Sequence, residues 1–147
     1  MLSQDEADIL LNILKRIRAF QSPFTFPSIG DSRQIELVSD DGRHEFIVDV
    51  NRKGYLGISK RCTYQGRYRK DIILLRLDIA GPEHTNPDGT RVSGNHLHIY
   101  QEGYGDKIAI EIPPEIVNPD DLYQTLIDFL LYFKTIDADL LQIQMVI

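Results

Sequence analysis

Three of the four histidines in this chain of 147 residues fall between positions 84 and 98. Two of them alternate with apolar residues in Asn95-His96-Leu97-His98-Ile99-Tyr100. Side chains on a strand point to opposite faces in turn, so Leu97 and Ile99 share one face while His96, His98 and Tyr100 share the other. In Leu75-Arg76-Leu77-Asp78-Ile79 the same alternation puts Arg76 and Asp78 opposite the leucines and Ile79. If the two runs pair with both apolar faces on the core, Arg76, Asp78, His96, His98 and Tyr100 are expected on one patch. An aspartate beside a histidine pair fixes a tautomer and raises imidazole basicity. An arginine there can hold a phosphate or a carboxylate through two parallel hydrogen bonds.

The intervening loop, residues 81–89, is dense in functional groups. Asn86-Pro87-Asp88-Gly89 reads as a tight turn that projects His84 back over the strand ends. Downstream, Glu102-Gly103-Tyr104-Gly105-Asp106 adds two carboxylates and a phenol. Three readings fit these residues. In the first, phosphodiester chemistry proceeds without a metal or other cofactor. One histidine is base and another acid, Asp78 orients one of them, Arg76 or Lys107 neutralises the developing charge, and His84 or Tyr100 assists. In the second, the histidines one residue apart join His84 or Asp78 around a divalent ion. In the third, the histidines and Asp78 only hold the long loop in place. The first reading leads, and it assigns catalysis to His84, His96, His98, Asp78, Arg76 and Tyr100.

The elements that must position these residues follow from periodicity and turn signals. Ser3 with Glu6 forms a capping box, and apolar residues at helical spacing predict a helix from Gln4 to Phe20, ended by Pro23 and Pro27. Strands are expected at Gln34–Ser39 and Glu45–Asn51, joined by Asp40-Asp41-Gly42. A third is expected from Tyr55 to Thr63, with a turn at Gln65-Gly66 leading into a long strand from Arg69 to Ile79. Asn95–Gln101 and Lys107–Ile112 complete six strands. Asn118 as N-cap and Pro119 at the first position predict a second helix with a buried stripe of Leu122, Leu126, Phe129, Leu130 and Phe133. Leu140 to Ile147 reads as a closing strand. The expected fold is one α+β domain: a mostly antiparallel, curved sheet flanked by an N-terminal and a C-terminal helix.

Composition is that of an ordinary globular chain. No apolar run approaches the length of a bilayer span, and MLSQDEADILL has acids where a secretion signal carries bases, so a cytoplasmic protein without a membrane partner is expected. Cys62 stands alone, which excludes an internal disulfide. The net charge is −6, yet residues 52–76 carry eight bases against the single acid Asp71, leaving +7 there and −13 elsewhere. Tyr55, Tyr64 and Tyr68 are interleaved with those bases, a pattern that suits a polyanion. Arg61, Arg67, Arg69 and Lys70 are therefore expected to follow an RNA backbone.

The stretch from Arg76 to Asp106 resembles the core of an uncharacterised family of small bacterial and phage proteins. It shows Arg76-Leu-Asp78, then Gly81-Pro-Glu-His84-Thr-Asn86-Pro87-Asp88-Gly89, then His96-Leu-His98-Ile-Tyr100-Gln-Glu102-Gly103-Tyr104-Gly105-Asp106. A looser likeness is to TumE-like toxins of toxin–antitoxin pairs, from which the Asn86–Gly89 turn and the Glu102–Asp106 segment depart. That likeness implies Arg76, Asp78, His84, His96 and His98 as a shared set. The expected function is a toxin-like or phage-defence-related protein cleaving RNA, with a cognate antitoxin as partner. The alternative is a non-catalytic interaction protein, such as a phage-encoded inhibitor, that occupies a host defence protein through its charged faces.

Overall fold

The computed structural model describes residues 1–19, 23–54 and 60–145. Helix α1 (Gln4–Asn12) opens on the expected capping box, with the Ser3 hydroxyl accepting from Glu6 N–H and the Glu6 carboxylate from Ser3 N–H. It ends eight residues before the expected Phe20, which lies outside the described residues. Ile13 is already extended, and Lys15–Ile17 forms the short strand β1. A helical pattern in Ile13 and Ile17 was outweighed there by backbone pairing with β3 (Ser32–Ser39), which still buries Ile17.

Lys15 shows why the chain changes course at this point. Its side chain is fully buried, with Nζ 3.3, 3.1 and 2.9 Å from the carbonyls of Leu11, Ile13 and Phe133. The rings of Phe133 and Phe46 lie 4.1 and 4.9 Å from Nζ. One amine thus satisfies carbonyls at the ends of both helices. Burial, with the charge of Lys134 added, pulls it down to about 7. Lys15→Met leaves these carbonyls unpaired and is expected to cost about 2–3 kcal/mol in urea unfolding. The folded value lies below the unfolded value of about 10.4, so the folded chain binds fewer protons between those values. The lysine's contribution to stability therefore grows as pH rises from 7 towards 10, and the methionine variant loses that slope.

Among the described residues the sheet has seven strands in the order β1-β3-β4-β5-β6-β9-β10, every neighbour antiparallel. Its further members are β4 (Glu45–Asn51), β5 (Cys62–Tyr68), β6 (Ile72–Ile79), β9 (His96–Ile99) and β10 (Ala109–Glu111). This is the expected α+β architecture with one strand more. Most of the expected Tyr55–Thr63 strand lies outside the described residues, and strand begins again at Cys62. The expected turn at Gln65-Gly66 is instead the middle of β5. Gly66 is there because a β-carbon at that position would stand 2.7 Å from the Phe133 ring, so the glycine makes room for the helix. The chain turns at Arg69, Lys70 and Asp71, and β6 begins later than the expected Arg69.

One face of the sheet carries Leu37, Phe46, Val48, Tyr64, Leu75, Leu77 and Leu97 into the core. Helix α2 (Leu122–Tyr132) covers it with Leu126, Phe129 and Leu130, and Phe133 follows at its end. Its N-cap is Asp121, whose carboxylate accepts from Gln124 N–H, where Asn118 was expected. Asn118 instead receives Asp121 N–H and the Thr125 hydroxyl on its carbonyl. The tail is a 3-10 turn (Ala138–Leu140) followed by the two-residue strand β11 (Ile143–Gln144), parallel to β2 (Phe24–Thr25). No helix among the described residues is long and apolar enough to cross a membrane.

The opposite face of the sheet is polar. Register places two rows across five strands: His98, Arg76, Gln65, Asp49 and Gln34 in one, and His96, Asp78, Thr63, Asn51 and Ser32 in the other. The loop after β6 folds over the β9 end of these rows. It contains a small hairpin of β7 (His84–Thr85) and β8 (Arg91–Val92).

Candidate metal centre

β6 and β9 pair in the register that the alternation predicts, Arg76 opposite His98 and Asp78 opposite His96. His96 and His98 are 2% and 1% exposed, under the rim of an open cleft of about 390 Å³. Arg61, Thr63, Gln65, Glu83 and His84 also line that cleft. The Asn86–Gly89 turn holds His84 in place. Asn86 pairs with the backbone of Ala109 in both directions, at 2.9 and 2.8 Å, and so joins the loop to β10. Asp88 accepts from the N–H and hydroxyl of Thr90, which closes the turn.

A backbone carbonyl fixes each of the three imidazoles. His84 Nε2 lies 2.8 Å from Lys107 O, His96 Nδ1 2.6 Å from Ser93 O, and His98 Nδ1 2.7 Å from Asp106 O. A carbonyl only accepts, so each of these nitrogens carries the proton. In the neutral rings, His84 Nδ1, His96 Nε2 and His98 Nε2 then hold the lone pairs. One nitrogen from each ring lies within 4.8 Å of one from each other ring, and ring centroids are 4.7–5.5 Å apart.

Asp78 stands beside this cluster, with Oδ2 3.0 Å from His96 Nε2 and 3.3 Å from His98 Nε2. Its other oxygen accepts from the Thr63 hydroxyl at 3.0 Å. Burial pushes the Asp78 carboxyl up, but hydrogen bonding from His98, which needs a proton on its Nε2 when no metal takes that nitrogen, the charge of Arg76 and the Thr63 hydroxyl outweigh it and hold the group at about 2. The carboxylate is therefore an anion facing two ring nitrogens, an arrangement that calls for a cation or a proton between them. Arg76 supplies part of that charge. Its Nη1 donates to Asp106 at 2.7 Å and its Nη2 lies 2.9 Å from His98 Nε2. Its Nε is buried with no hydrogen-bond partner, 3.5 Å from Asp78.

These distances suit a metal better than a metal-free acid–base pair. Cleavage of a phosphodiester by two histidines needs their open nitrogens on either side of the phosphorus. Here the open nitrogens of His96 and His98 face the same oxygen of Asp78, at 3.0 and 3.3 Å. Imidazoles whose second nitrogen donates to a carbonyl are the usual ligands of zinc and its neighbours, because that bond sets tautomer and ring direction. With Zn–N bonds of about 2.05 Å, a tetrahedral ion holds its histidine nitrogens about 3.3 Å apart. To reach that, nitrogens up to 4.8 Å apart have to draw together by up to about 1.5 Å.

The remaining sequence candidates fall elsewhere. Tyr100 follows the last β9 residue and turns into the core, its hydroxyl donating to Leu2 O at 2.7 Å, so it lies apart from the histidines. Arg61 lines the cleft, but Arg69 and Lys70 stand at the other end of β5. Arg67, between them, is committed to Asp49 at 2.7 Å. Much of the basic segment is thus dispersed and paired. Burial drives the Cys62 thiol up to about 12, which leaves it unreactive. Thr63 and Ser93 belong to the site although sequence reasoning gave them no role in it, and Asp106, one of the carboxylates noted downstream, pairs with Arg76 and holds His98 through its carbonyl. The polar Thr63 and Gln65, alternating with Cys62 and Tyr64, were the signal for the first, hidden by the expected turn at Gln65-Gly66.

No curated protein and no solved structure matches the chain. One family model does, over residues 2–135, a span that contains every residue of the histidine cleft. The chain belongs to the family of unknown function DUF6978.

Proposed function

We propose that His84, His96 and His98 hold one divalent transition metal, with zinc the best match to three imidazoles, and that the protein is a metal-dependent hydrolase of RNA. The observations that carry this reading are the fixing of all three tautomers by backbone carbonyls and the presence of one nitrogen of each ring within 4.8 Å of one from each of the others. Three histidines beside an open cleft would fit a catalytic rather than a structural zinc. A zinc ion held by them would supply hydroxide as nucleophile at neutral pH.

The chain's own residues supply the rest. Asp78, kept ionised, accepts a hydrogen bond from the attacking water and aligns it. If His98 held the metal, Arg76 Nη2 would lose its contact with that ring and could meet an incoming phosphate beside Arg61, while Nη1 stays with Asp106. Water's oxygen would bond to phosphorus and its proton pass to solvent, the phosphorus–oxygen bond to the leaving sugar would break, and the departing oxygen would take a proton from solvent. Phosphodiester is the favoured substrate because Arg61 and Arg76 line the same cleft as the histidines and could meet the developing charge. A toxin-like cellular role follows from this chemistry if expression of the chain arrests growth.

The test is cleavage of mixed-sequence RNA by zinc-loaded protein, by the same protein stripped with EDTA, and by stripped protein given zinc again. Cleavage lost with the metal and restored with it is the expected result. Equal cleavage in all three would return the site to metal-free acid–base chemistry. No cleavage by a folded, zinc-bound protein would remove RNA as the substrate.

A further inference from the structure

The end of the sheet remote from the histidines has a feature that the cleft does not use. Arg69, at φ 52, and Lys70, at φ 67, both lie in the left-handed region of the turn between β5 and β6. That conformation costs a residue with a β-carbon about 1–2 kcal/mol, and glycine or asparagine is its usual occupant. Two long cations stand there instead. Arg67 Nη1 donates to Lys70 O at 2.7 Å, and the Arg69 guanidinium lies 5.1 Å from the Tyr68 ring centroid, so the turn is held in this form.

The turn between β3 and β4 brings Arg43 and His44 alongside. Together with Arg67, Arg69 and Lys70 they line an open cleft of about 480 Å³. Acids are near, but several are already engaged. Glu45 pairs with Arg18 at 2.8 Å and Asp49 with Arg67 at 2.7 Å. Glu36 lines the cleft, and Glu6 is close enough to feel the charge of Arg69. Arg43, Arg69 and Lys70 have no ion-pair partner among the described residues. On a chain of net charge −6, this is a local concentration of available cations.

Thr63, Gln65 and Arg67 share the polar face of β5 and lead from the histidine cleft towards this turn. At about 3.3 Å per residue, Thr63 and Arg69 are about 20 Å apart, a span that only a polymer covers. We propose that the turn cleft binds the phosphate backbone of an RNA strand several nucleotides away from the phosphodiester held at the histidines. This rests on the reading that the histidine cleft acts on RNA. Strain of this kind persists where surrounding structure holds it for use, and two left-handed cations at the tip of a hairpin fit that description.

The test is the double variant Arg69→Asn/Lys70→Gly, which removes both charges and installs residues at ease in the left-handed region. Zinc-loaded protein is titrated with a fluorescent 2′-O-methyl RNA dodecamer and, separately, a trinucleotide. The variant is expected to melt no lower than the parent and to bind zinc equally. Its dodecamer affinity should fall about tenfold at low salt, and the salt slope of log affinity should lose about 1.4 units, as two released phosphate contacts predict. Trinucleotide affinity should be unchanged. Equal dodecamer affinity and salt slope in the two proteins would overturn the proposal, as would failure of the parent to bind the dodecamer. Competition by millimolar inorganic phosphate that abolishes the difference between dodecamer and trinucleotide would also overturn it, by pointing to a small anion. A parent that binds the dodecamer in this manner but cleaves no RNA would refute only the hydrolase reading.

Discussion

The His96→Ala/His98→Ala chain is expected to bind zinc about 10⁴-fold more weakly than its parent, since four-ligand zinc sites are worth about 10–16 kcal/mol, or about 3 kcal/mol per ligand. Both rings are buried, and both face the Asp78 carboxylate. Their removal leaves that anion with Arg76 and Thr63 as its remaining partners, so some loss of stability accompanies the loss of metal. His84→Ala separates the two effects. His84 lies at the half-exposed edge of the cluster and donates to a loop carbonyl. Its removal should weaken zinc about 100-fold while leaving the melting temperature of metal-free protein within a few degrees. Isothermal titration and thermal unfolding in EDTA read the two quantities. Zinc binding that survives both variants would leave the histidines as architecture.

The second large effect comes from a residue with no functional group. A β-carbon at Gly94 would stand 2.2 Å from the backbone oxygen of Gly81. These two glycines are where the loop carrying His84 closes on itself, joined by a hydrogen bond from Gly81 N–H to Gly94 O at 3.1 Å. The obstacle is backbone at both sides, so no rotamer relieves it. Gly94→Ala must open the base of the loop and carry His84 away from His96 and His98. Zinc affinity should fall at least as far as in His84→Ala, although every ligand is present. Metal-free stability should fall too, by about 1–3 kcal/mol, the usual range for overpacking. Parental zinc affinity in this variant would mean that the loop is not what places His84.

Most of the site was legible because its signals are local and periodic. The alternation in Leu75–Ile79 and Asn95–Tyr100 fixes which side chains share a face, and pairing with apolar faces inward then leaves one register. The Asn86–Gly89 turn announced itself by composition. What escaped depends on contacts distant in sequence. Gly66 looks like a turn until Phe133, from the end of α2, is seen to occupy the space of its missing side chain. Tyr100 obeys the alternation on paper, but β9 ends at Ile99 and the next residue follows the core. Lys15 looks like part of a helical surface and is instead the shared cap of two helix ends. The carbonyls of Ser93, Asp106 and Lys107 carry the strongest argument for a metal, and no side-chain pattern records where a carbonyl points.

The +7 of residues 52–76 shows the limit of charge counting. Arg67 is committed to Asp49, Lys60 to Asp120 and Arg76 to Asp106. Of the others, Arg69 and Lys70 stand together at the β5–β6 turn, away from the histidines, while Arg61 lines the histidine cleft and Lys53 is exposed after β4.

Titration of the purified, metal-free chain with cobalt(II) asks directly whether the histidine cleft takes a metal. One equivalent is predicted to produce the visible absorption of a four-coordinate, histidine-bound ion. Zinc should bleach that absorption, and it should be absent from the His84→Ala/His96→Ala/His98→Ala chain. No absorption from folded parent protein, or the same absorption from the triple variant, would contradict the assignment.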